Sequence, residues 1–520
     1  MRRTLAALTT TAVLIPLAVT AAPGAASAAT NTLTVHVYGR NGAKVNADVY
    51  ATNLSTRIEY ALNSNRARKL PRGTYVVATE INEVNGIERT TVLGGRTVKV
   101  SGASSTVIDG RNGRPFQVSL NPAVEEPEAV VTARICAGSD LLVESHMGAG
   151  SLYVIPNGSD NFRFAYSARW AENPARNAAR FVALESTKGI PTVRKTVQRS
   201  SLVPVTTTAR AQWRSDDYQG VYLLSRAGGC ARDLLAAGHG DSGGFTVPFH
   251  VSPGKWQFQA ETQYDMSVRE RTLVSGKSYS VNFFNAGRGP GYDLPFTYGP
   301  GLYFYPHSMF SDTGSAGVTE FLADGYSQVN GIKSSITLTK GGKTLKKQTR
   351  TTTLNYDARF NYRMTSAGWY SLTVSAKREH PDMAMPSGML SYRTIARFRF
   401  HADPKKQQVA PVYLTRFTPS GLTLQNTAKP SSTTNVTLTL DRKKQGGVKL
   451  GTAPTVKTMT AWASYDNGAT WKKTTLKKSG SKWVATVKNP ASGYVTLRAK
   501  VVDTVGNSSD ITIYRAYRIA

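Results

Sequence analysis

The sequence predicts an all-β protein of tandem β-sandwich modules that follow a short targeting segment. Three observations predict it. Apolar and polar residues alternate with a period of two, as in Leu33-Thr-Val35-His-Val37-Tyr, Val98-Lys-Val100-Ser and Val436-Thr-Leu438-Thr-Leu440. That period puts one side of an extended segment on a core and the other in water. Glycine-bearing pairs that suit tight hairpins separate the runs: Asn41-Gly42, Asn85-Gly86, Gly94-Gly95, Asn112-Gly113, Gly341-Gly342 and Asn467-Gly468. Helical spacing is confined to one stretch, Ala175–Leu184, where Asn173 could cap and Pro174 occupy the first turn. With 520 residues, 40% apolar and 19% charged, the chain is no coiled coil, collagen-like rod, disulfide-dense miniprotein or wholly disordered polymer. Its length asks for three to four domains of ordinary size.

Residues 1–28 read as a secretory signal. Arg2 and Arg3 give the positive start, Leu5 to Val19 the apolar run, and Ala26-Ser27-Ala28 the small-residue cleavage site. Thr4-Leu5-Ala6 continues a twin-arginine signal poorly, which favours general secretion. Pro16 breaks the run, and no later stretch reaches the roughly 18 apolar residues of a spanning helix. No cysteine lies near the cleavage site to carry a lipid. The expectation is a protein secreted into the medium or loosely wall-associated.

Breaks in the alternation divide the rest. Asn121-Pro-Ala-Val-Glu-Glu-Pro-Glu, Gly287-Arg-Gly-Pro-Gly and His401-Ala-Asp-Pro-Lys-Lys-Gln-Gln read as linkers, giving modules at 29–121, 122–300, 301–404 and 405–520. Cys136 and Cys230 are the only cysteines. In an oxidising compartment they most simply pair, and closing so long a loop stabilises by about 4–5 kcal/mol on the chain-entropy model. The other reading, free thiols or a metal pair, lacks the extra ligands a site needs.

In the first module, Gly39-Arg-Asn-Gly-Ala-Lys-Val-Asn-Ala-Asp-Val is followed by Leu70-Pro-Arg-Gly-Thr-Tyr-Val-Val-Ala. This resembles the transthyretin-like, or carboxypeptidase-regulatory-like, sandwich. In the last module, Ser464-Tyr-Asp-Asn-Gly-Ala-Thr-Trp471 fits the turn pattern known as the Asp box. There Asp466 can bond backbone NH groups, Gly468 takes a positive φ and Trp471 packs beneath. One copy is a folding device, since the sialidase propeller repeats it. Val501-Val-Asp-Thr-Val-Gly-Asn507 looks like the end of an immunoglobulin-like module. Taken together with Ile336–Lys346, Tyr494–Arg498 and Asp510–Tyr517, these segments make the chain similar to the non-catalytic C-terminal region of secreted actinobacterial subtilisin-like serine peptidases. The catalytic part of that family is missing: neither His-Gly-Thr nor Gly-Thr-Ser-Met-Ala occurs, and Asp312-Thr-Gly314 lies after His239 and Ser242, the wrong order. The resemblance implies no catalytic residue.

The sharpest chemical motif is Gly240-Asp241-Ser242-Gly243-Gly244, which matches the nucleophile pentapeptide of chymotrypsin-like proteases. A triad there needs a base beside the Ser242 hydroxyl and an acid to orient it. His36, His146 and His239 are the upstream histidines, and none has that family's context. A nucleophile elbow opens a helix, but Phe245–Val251 alternates like a strand. The motif therefore reads as a turn before a strand. His380-Pro-Asp382 and His401-Ala-Asp403 lack third ligands, and Asp216-Asp217 and Glu125-Glu126 are adjacent, so in strands they face opposite sides. No metal, cofactor or catalytic residue is expected.

Charge says more. The net charge is +31, and residues 411–520 hold 17 Lys+Arg against four Asp+Glu. Lys472, Lys473, Lys477, Lys478, Lys482 and Lys488 crowd one expected hairpin, and Arg442, Lys443, Lys444 and Lys449 another. Lys333, Lys340, Lys343, Lys346, Lys347 and Arg350 do likewise in the third module. Such a surface attracts polyanions, while lysine also keeps edge strands unpaired. No nucleic-acid motif is present, so no specific nucleic acid is expected. The aromatic stretch Tyr292–Pro306 reads as a crossover packed between sandwiches, or as stacking faces for sugars. The expected function is a secreted accessory or surface-binding protein that docks on an anionic cell-wall or extracellular polymer, with a separate secreted peptidase as a further expected partner. The alternatives are a serine hydrolase using Ser242 and a structural remnant that binds nothing.

Overall fold

The computed structural model describes residues 31–124, 129–173, 177–211, 218–262, 266–313, 329–353, 359–379, 385–445 and 447–520. The expected signal segment, Glu125-Glu126, Asp216-Asp217 and His380–Asp382 lie outside them. Among the described residues every regular element is a strand or a short 3₁₀ turn, and the strands form packed sheets: an all-β chain of β-sandwiches.

The first half stacks three layers. Thr32–Tyr38 pairs in parallel with Ala103–Asp109 and antiparallel with Arg68–Lys69. Behind them lies a six-stranded sheet in the order Glu59–Asn63, Asp48–Asn53, Gly73–Asn85, Glu88–Val100, Leu152–Val154, Arg114–Pro115. Leu33, Val35 and Val37 meet Val49, Tyr75 and Val77 between these two sheets. Val76, Ala78 and Leu93 leave the opposite face and pack on Ile135, Phe164 and Tyr166 of a seven-stranded sheet. The Gly73–Asn85 strand is thus covered on both sides, which explains why Tyr75-Val-Val-Ala runs apolar instead of alternating.

The seven-stranded sheet runs Asp140–Gly148, Val130–Ala137, Phe162–Ala171, Arg180–Lys188, Phe245–Val251, Val203–Ala209, Tyr279–Phe283. Its far half packs on the four strands Leu235–Ser242, Tyr218–Ser225, Gly254–Thr262 and Met266–Leu273 around Val247, Phe249, Trp256 and Phe258. Cys136 and Cys230 form the disulfide, with Cα atoms 5.8 Å apart. It ties the seven-stranded sheet to the Gly229–Ala231 turn beside the four-stranded one.

The second half has one continuous core, from Ala286 to Ile519. Its main sheet is ordered Lys343–Thr353, Val329–Lys340, Gly368–Arg378, Arg393–Ala402, Ser508–Ile519, Gly493–Asp503, Val456–Ser464, Lys472–Lys473, with Thr427–Ala428 added beside Ser508–Ile519. A four-stranded sheet, Leu414–Pro419, Thr433–Asp441, Lys482–Lys488, Thr475–Ser479, covers part of it, and a small sheet around Phe296–Tyr298 and Gly301–Phe304 closes the end.

Three expectations need correction. The helix expected over 175–184 is absent where the chain is described, because Arg180–Lys188 is a central strand between Phe162–Ala171 and Phe245–Val251. The tertiary demand for a paired strand overrides the local capping signal. Gly287–Gly291, read as a linker, is buried: Gly287 N donates to Ala516 O at 2.9 Å, and a Cβ on Gly291 would lie 2.1 Å from Arg416 Nη1. Its glycines admit close packing, not slack. Sheets also run across the expected boundaries near 121 and 404. Leu152–Val154 pairs with Glu88–Val100, and Arg393–Ala402 pairs with Ser508–Ile519.

Candidate functional site

The basic hairpin of the last module is built from its turn outward. Ser464 ends a strand and is buried; its hydroxyl donates to Asp466 Oδ1 at 2.7 Å and accepts from Gly468 N at 2.8 Å. Asp466 Oδ1 also accepts from Thr470 N at 2.8 Å, and Oδ2 accepts from the Thr470 hydroxyl. These bonds, led by those from Thr470, pull the Asp466 carboxyl down to about 2. Asn467 and Gly468 sit at φ +58° and +89°, and a Cβ at Gly468 would come within 3.1 Å of the Tyr514 ring. Trp471 lies beneath the turn, 5.8 Å from the Arg498 guanidinium.

The turn delivers the chain into a strand that changes sheets. Lys472 and Lys473 pair with Ala463 and Trp462 at the edge of the main sheet. Thr474 bonds Ala461 O through its N, at 3.0 Å, and the chain crosses over. Thr475–Ser479 then forms the edge of the four-stranded sheet, with Lys477 opposite Val484 and Lys478 opposite Trp483. Lys482 follows the turn at Gly480. Lys472 Nζ lies 5.7 Å over the Tyr465 ring and Lys478 Nζ 5.8 Å over Trp483. Lys443 and Lys444 follow Thr433–Asp441 at the same end of this sheet as the 479–482 turn. Among the described residues only Lys443 of this set forms an ion pair, with Asp441 at 3.7 Å.

The structure therefore places Lys477, Lys478 and Lys482 in one edge hairpin, with Lys477 and Lys478 leaving opposite faces of their strand, sets Lys472 and Lys473 on the edge of the main sheet, and leaves Lys443 and Lys444 at the end of the four-stranded one. The third-module cations lie elsewhere. Lys343, Lys346, Lys347 and Arg350 are on the opposite edge of the main sheet, about 34 Å away at ordinary strand spacing. Several of that group are already engaged, Lys340 with Ser366 and Lys346 with Asn361.

Ser242 ends the Leu235–Ser242 strand, exposed, and Gly243 and Gly244 turn the chain at φ +73° and +89° into Phe245–Val251. The register is regular from Val221↔His239 to Tyr218↔Ser242, so His239 and Ser242, three residues apart, leave opposite faces. His239 Nε2 is engaged by Asn177 Oδ1 at 2.5 Å, and burial followed by the nearby Arg180 holds its imidazole below the usual range. Its neighbour Asp241 accepts from Asn177 at 3.2 Å and from Ser242 N at 2.8 Å. His146 bonds the Thr132 hydroxyl at 2.6 Å, a sheet away. His401 packs edge-on to Trp369, and Asp403 accepts from Lys405 N. Among the described residues no cluster of three or more His, Cys, Asp or Glu could hold a metal ion.

Sequence reasoning missed a buried ionic group around Asp312. This carboxylate is buried and accepts from Ser267 Oγ at 2.9 Å, Arg269 Nη2 at 2.6 Å, Phe284 N at 2.7 Å and Asn285 N at 3.0 Å. Arg416, also buried, donates to the carbonyl oxygens of Ser311 and Asp312. Burial works to raise the Asp312 carboxyl, and Arg269 and Arg288 with the NH donors more than reverse it. Burial pushes Arg416 down to about 10. The only sequence signal was Asp312-Thr-Gly itself, read there as a misplaced acid motif. Nearby, a cleft of about 350 Å³ is lined by Phe284, Arg288, Arg378, Asn426 and Arg518. In the aromatic stretch, Phe296 is buried against Tyr303 and Tyr305, with centroids at 5.4 and 5.8 Å, while Tyr298 is exposed.

No family model matches this chain, and no curated protein matches it in sequence. Solved structures similar to it include the FN1–FN3 domains of chicken CNTN1, at 10% identity over 60% of this chain and 98% of that one, TM-score 0.14. The Bacillus anthracis TIE protein is similar at 10% identity over 72% and 71%, TM-score 0.12. Trypsin-activated alpha-2-macroglobulin from Escherichia coli is similar at 9% identity over 94% of this chain, which spans 38% of that one, TM-score 0.16. Likeness at this level assigns no family.

Proposed function

We propose that this chain is a secreted, non-catalytic docking protein that binds an anionic cell-wall or extracellular polymer through the basic edge of its last module. The observation that carries the reading is the strand from Lys472 to Lys478. It presents its lysines on an exposed edge, and among the described residues no carboxylate pairs with Lys472, Lys473, Lys477, Lys478 or Lys482. An unmatched row of cations draws a polyanion over about 8–10 Å at physiological salt. The paired cysteines suit an oxidising compartment, and among the described residues no helix is long and apolar enough to cross a membrane. Action beside a separate secreted peptidase rests on the resemblance of Leu70–Ala78 and Ser464–Trp471 to peptidase accessory modules.

The test is co-sedimentation with purified actinobacterial cell walls over a range of roughly 50–500 mM salt. Binding should weaken steeply as salt rises and be lost when Lys472, Lys473, Lys477 and Lys478 are all changed to Gln. Absence of binding at low salt would sink the proposal. Covalent labelling of Ser242 by a fluorophosphonate would overturn its non-catalytic part.

A further inference from the structure

We infer that a cleft at one end of the four-stranded sheet of the first half binds a small phosphomonoester of sugar-phosphate size. This site lies apart from the lysine edge and does not depend on the docking reading. The cleft, of about 800 Å³, opens between the turn at 226–233 and the strands Gly254–Thr262 and Met266–Leu273. That size admits a small molecule.

The turn is fixed on both sides. Cys230 is bonded to Cys136 of the seven-stranded sheet, and Arg134 of that sheet donates to the Arg232 carbonyl at 2.8 Å. Arg226 N donates to Lys255 O at 2.8 Å, and Asp233 N, at φ +57°, donates to Ser225 O at 2.8 Å. Backbone and covalent bonds therefore set the points from which the two walls send their side chains into the cleft. A Cβ at Gly228 or Gly229 would meet nothing within 4 Å, so the space over the turn is open.

The charge in the cleft is unbalanced. Arg226, Arg232, Lys255 and Arg271 line it, with Glu270 as the facing acid. Arg226 is spent: it pairs with Asp233, reaches Glu270 Oε1 at 3.5 Å and donates to Gln257. Arg232 approaches Asp233 only through Nε, at 3.8 Å. Among the described residues Lys255 and Arg271 form no ion pair, and Arg271 Nη1 donates to the Glu270 carbonyl at 2.8 Å. Two acids thus face four cations, and Lys255 and Arg271 are the surplus. Burial, then the nearby Arg269, holds the Arg271 guanidinium below its ordinary range, a cost that an anion beside it relieves. The register sets Thr272 opposite Lys255 and Arg271 opposite Trp256, so an ammonium, a hydroxyl and a guanidinium come from neighbouring strands while Arg232 comes from the turn. A phosphomonoester matches this set, because its charge near −2 balances the surplus and its three terminal oxygens accept from donors on several sides. A carboxylate brings one charge and two coplanar oxygens, which a single guanidinium fork satisfies. The volume beyond the phosphate holds a sugar-sized body, whose hydroxyls the Thr272 hydroxyl can meet as donor or acceptor.

The experiment is calorimetric titration of the mature, disulfide-bonded protein with glucose 6-phosphate in a chloride buffer of low ionic strength. Glucuronate and glucose are the comparisons. Glucose 6-phosphate should saturate a single site, glucuronate should bind about tenfold more weakly, and glucose should not bind. Changing Lys255→Gln together with Arg271→Gln should weaken glucose 6-phosphate about tenfold. The melting temperature of the free protein should not change, since neither side chain holds the fold. Arg271→Lys should keep more affinity than Arg271→Gln, and Lys477→Gln with Lys478→Gln should leave the titration unchanged. No binding of glucose 6-phosphate overturns the site, as does a Lys255/Arg271 double variant that binds like the wild type. Equal affinity for glucuronate overturns the phosphate assignment. Loss of binding in the Lys477/Lys478 variant alone would place the phosphate on the lysine edge and overturn the cleft. A protein that fails to bind cell walls yet titrates with glucose 6-phosphate keeps this site, and the reverse result strikes this site alone.

Discussion

The arginines around Asp312 and the lysines from Lys472 to Lys482 carry the same charge and do opposite work. Arg269 and Arg416 are buried, and their guanidinium groups are committed to Asp312 and to backbone carbonyls. They join Met266–Leu273 and Leu414–Pro419, strands far apart in the chain, and their charge is internally cancelled or consumed. The lysines lie in water on a sheet edge, stabilise little, and keep their charge for a partner. Net charge alone therefore says little about binding: what matters is which cations remain unmatched at the surface.

The sharpest way to break this comparison is to remove the buried anion. Asp312→Ala leaves Arg269 and Arg416 without their counter-charge and should cost about 3–5 kcal/mol in urea unfolding. A loss below about 1 kcal/mol would show that the cluster does not clamp these strands. A second test uses pH. The folded-state pKa of Asp466 is lowered to about 2 from about 3.9 in the unfolded chain. Its contribution is therefore fully present above pH 4 and lost as the pH falls towards 2. Asp466→Asn should flatten the acid limb of the stability curve in that window and leave the neutral region's slope unchanged; the same slope in both proteins would refute the assignment. The smallest effect is at the edge itself. Lys477→Gln with Lys478→Gln should change stability by no more than about 0.5 kcal/mol while weakening wall binding, and a larger drop in melting would mean that these lysines are structural.

The fold class was legible because alternation survives wherever a strand has one wet face, as in Thr32–Tyr38 and Thr433–Asp441. It failed where tertiary contacts decide. Arg180–Leu184 has a helix-like spacing yet completes a sheet, and Gly287–Gly291 has the composition of a linker yet packs under Arg416. The Asp box was legible residue by residue because the bonds that Ser464 and Asp466 make are local, within Ser464–Thr470. The Asp312 cluster was not, since its partners come from residues 267 to 416 and no spacing rule links them. Nor could the lysine runs reveal that the third and last modules place theirs on opposite edges, because pairing order is a property of the sheet.

That pairing order also sets a sequence of events. Ser508–Ile519 lies in the interior of the main sheet, hydrogen-bonded to Arg393–Ala402 on one side and Gly493–Asp503 on the other. A chain synthesised from its N-terminus offers Arg393–Ala402, the last of the strands from Val329 to Ala402, no such neighbour until Ser508–Tyr514 has emerged. Contacts this distant in sequence form late and slowly, so the N-terminal layers can be complete while the other half is still an open-edged sheet. A chaperone that engages this chain during its synthesis therefore meets a back half that cannot yet close.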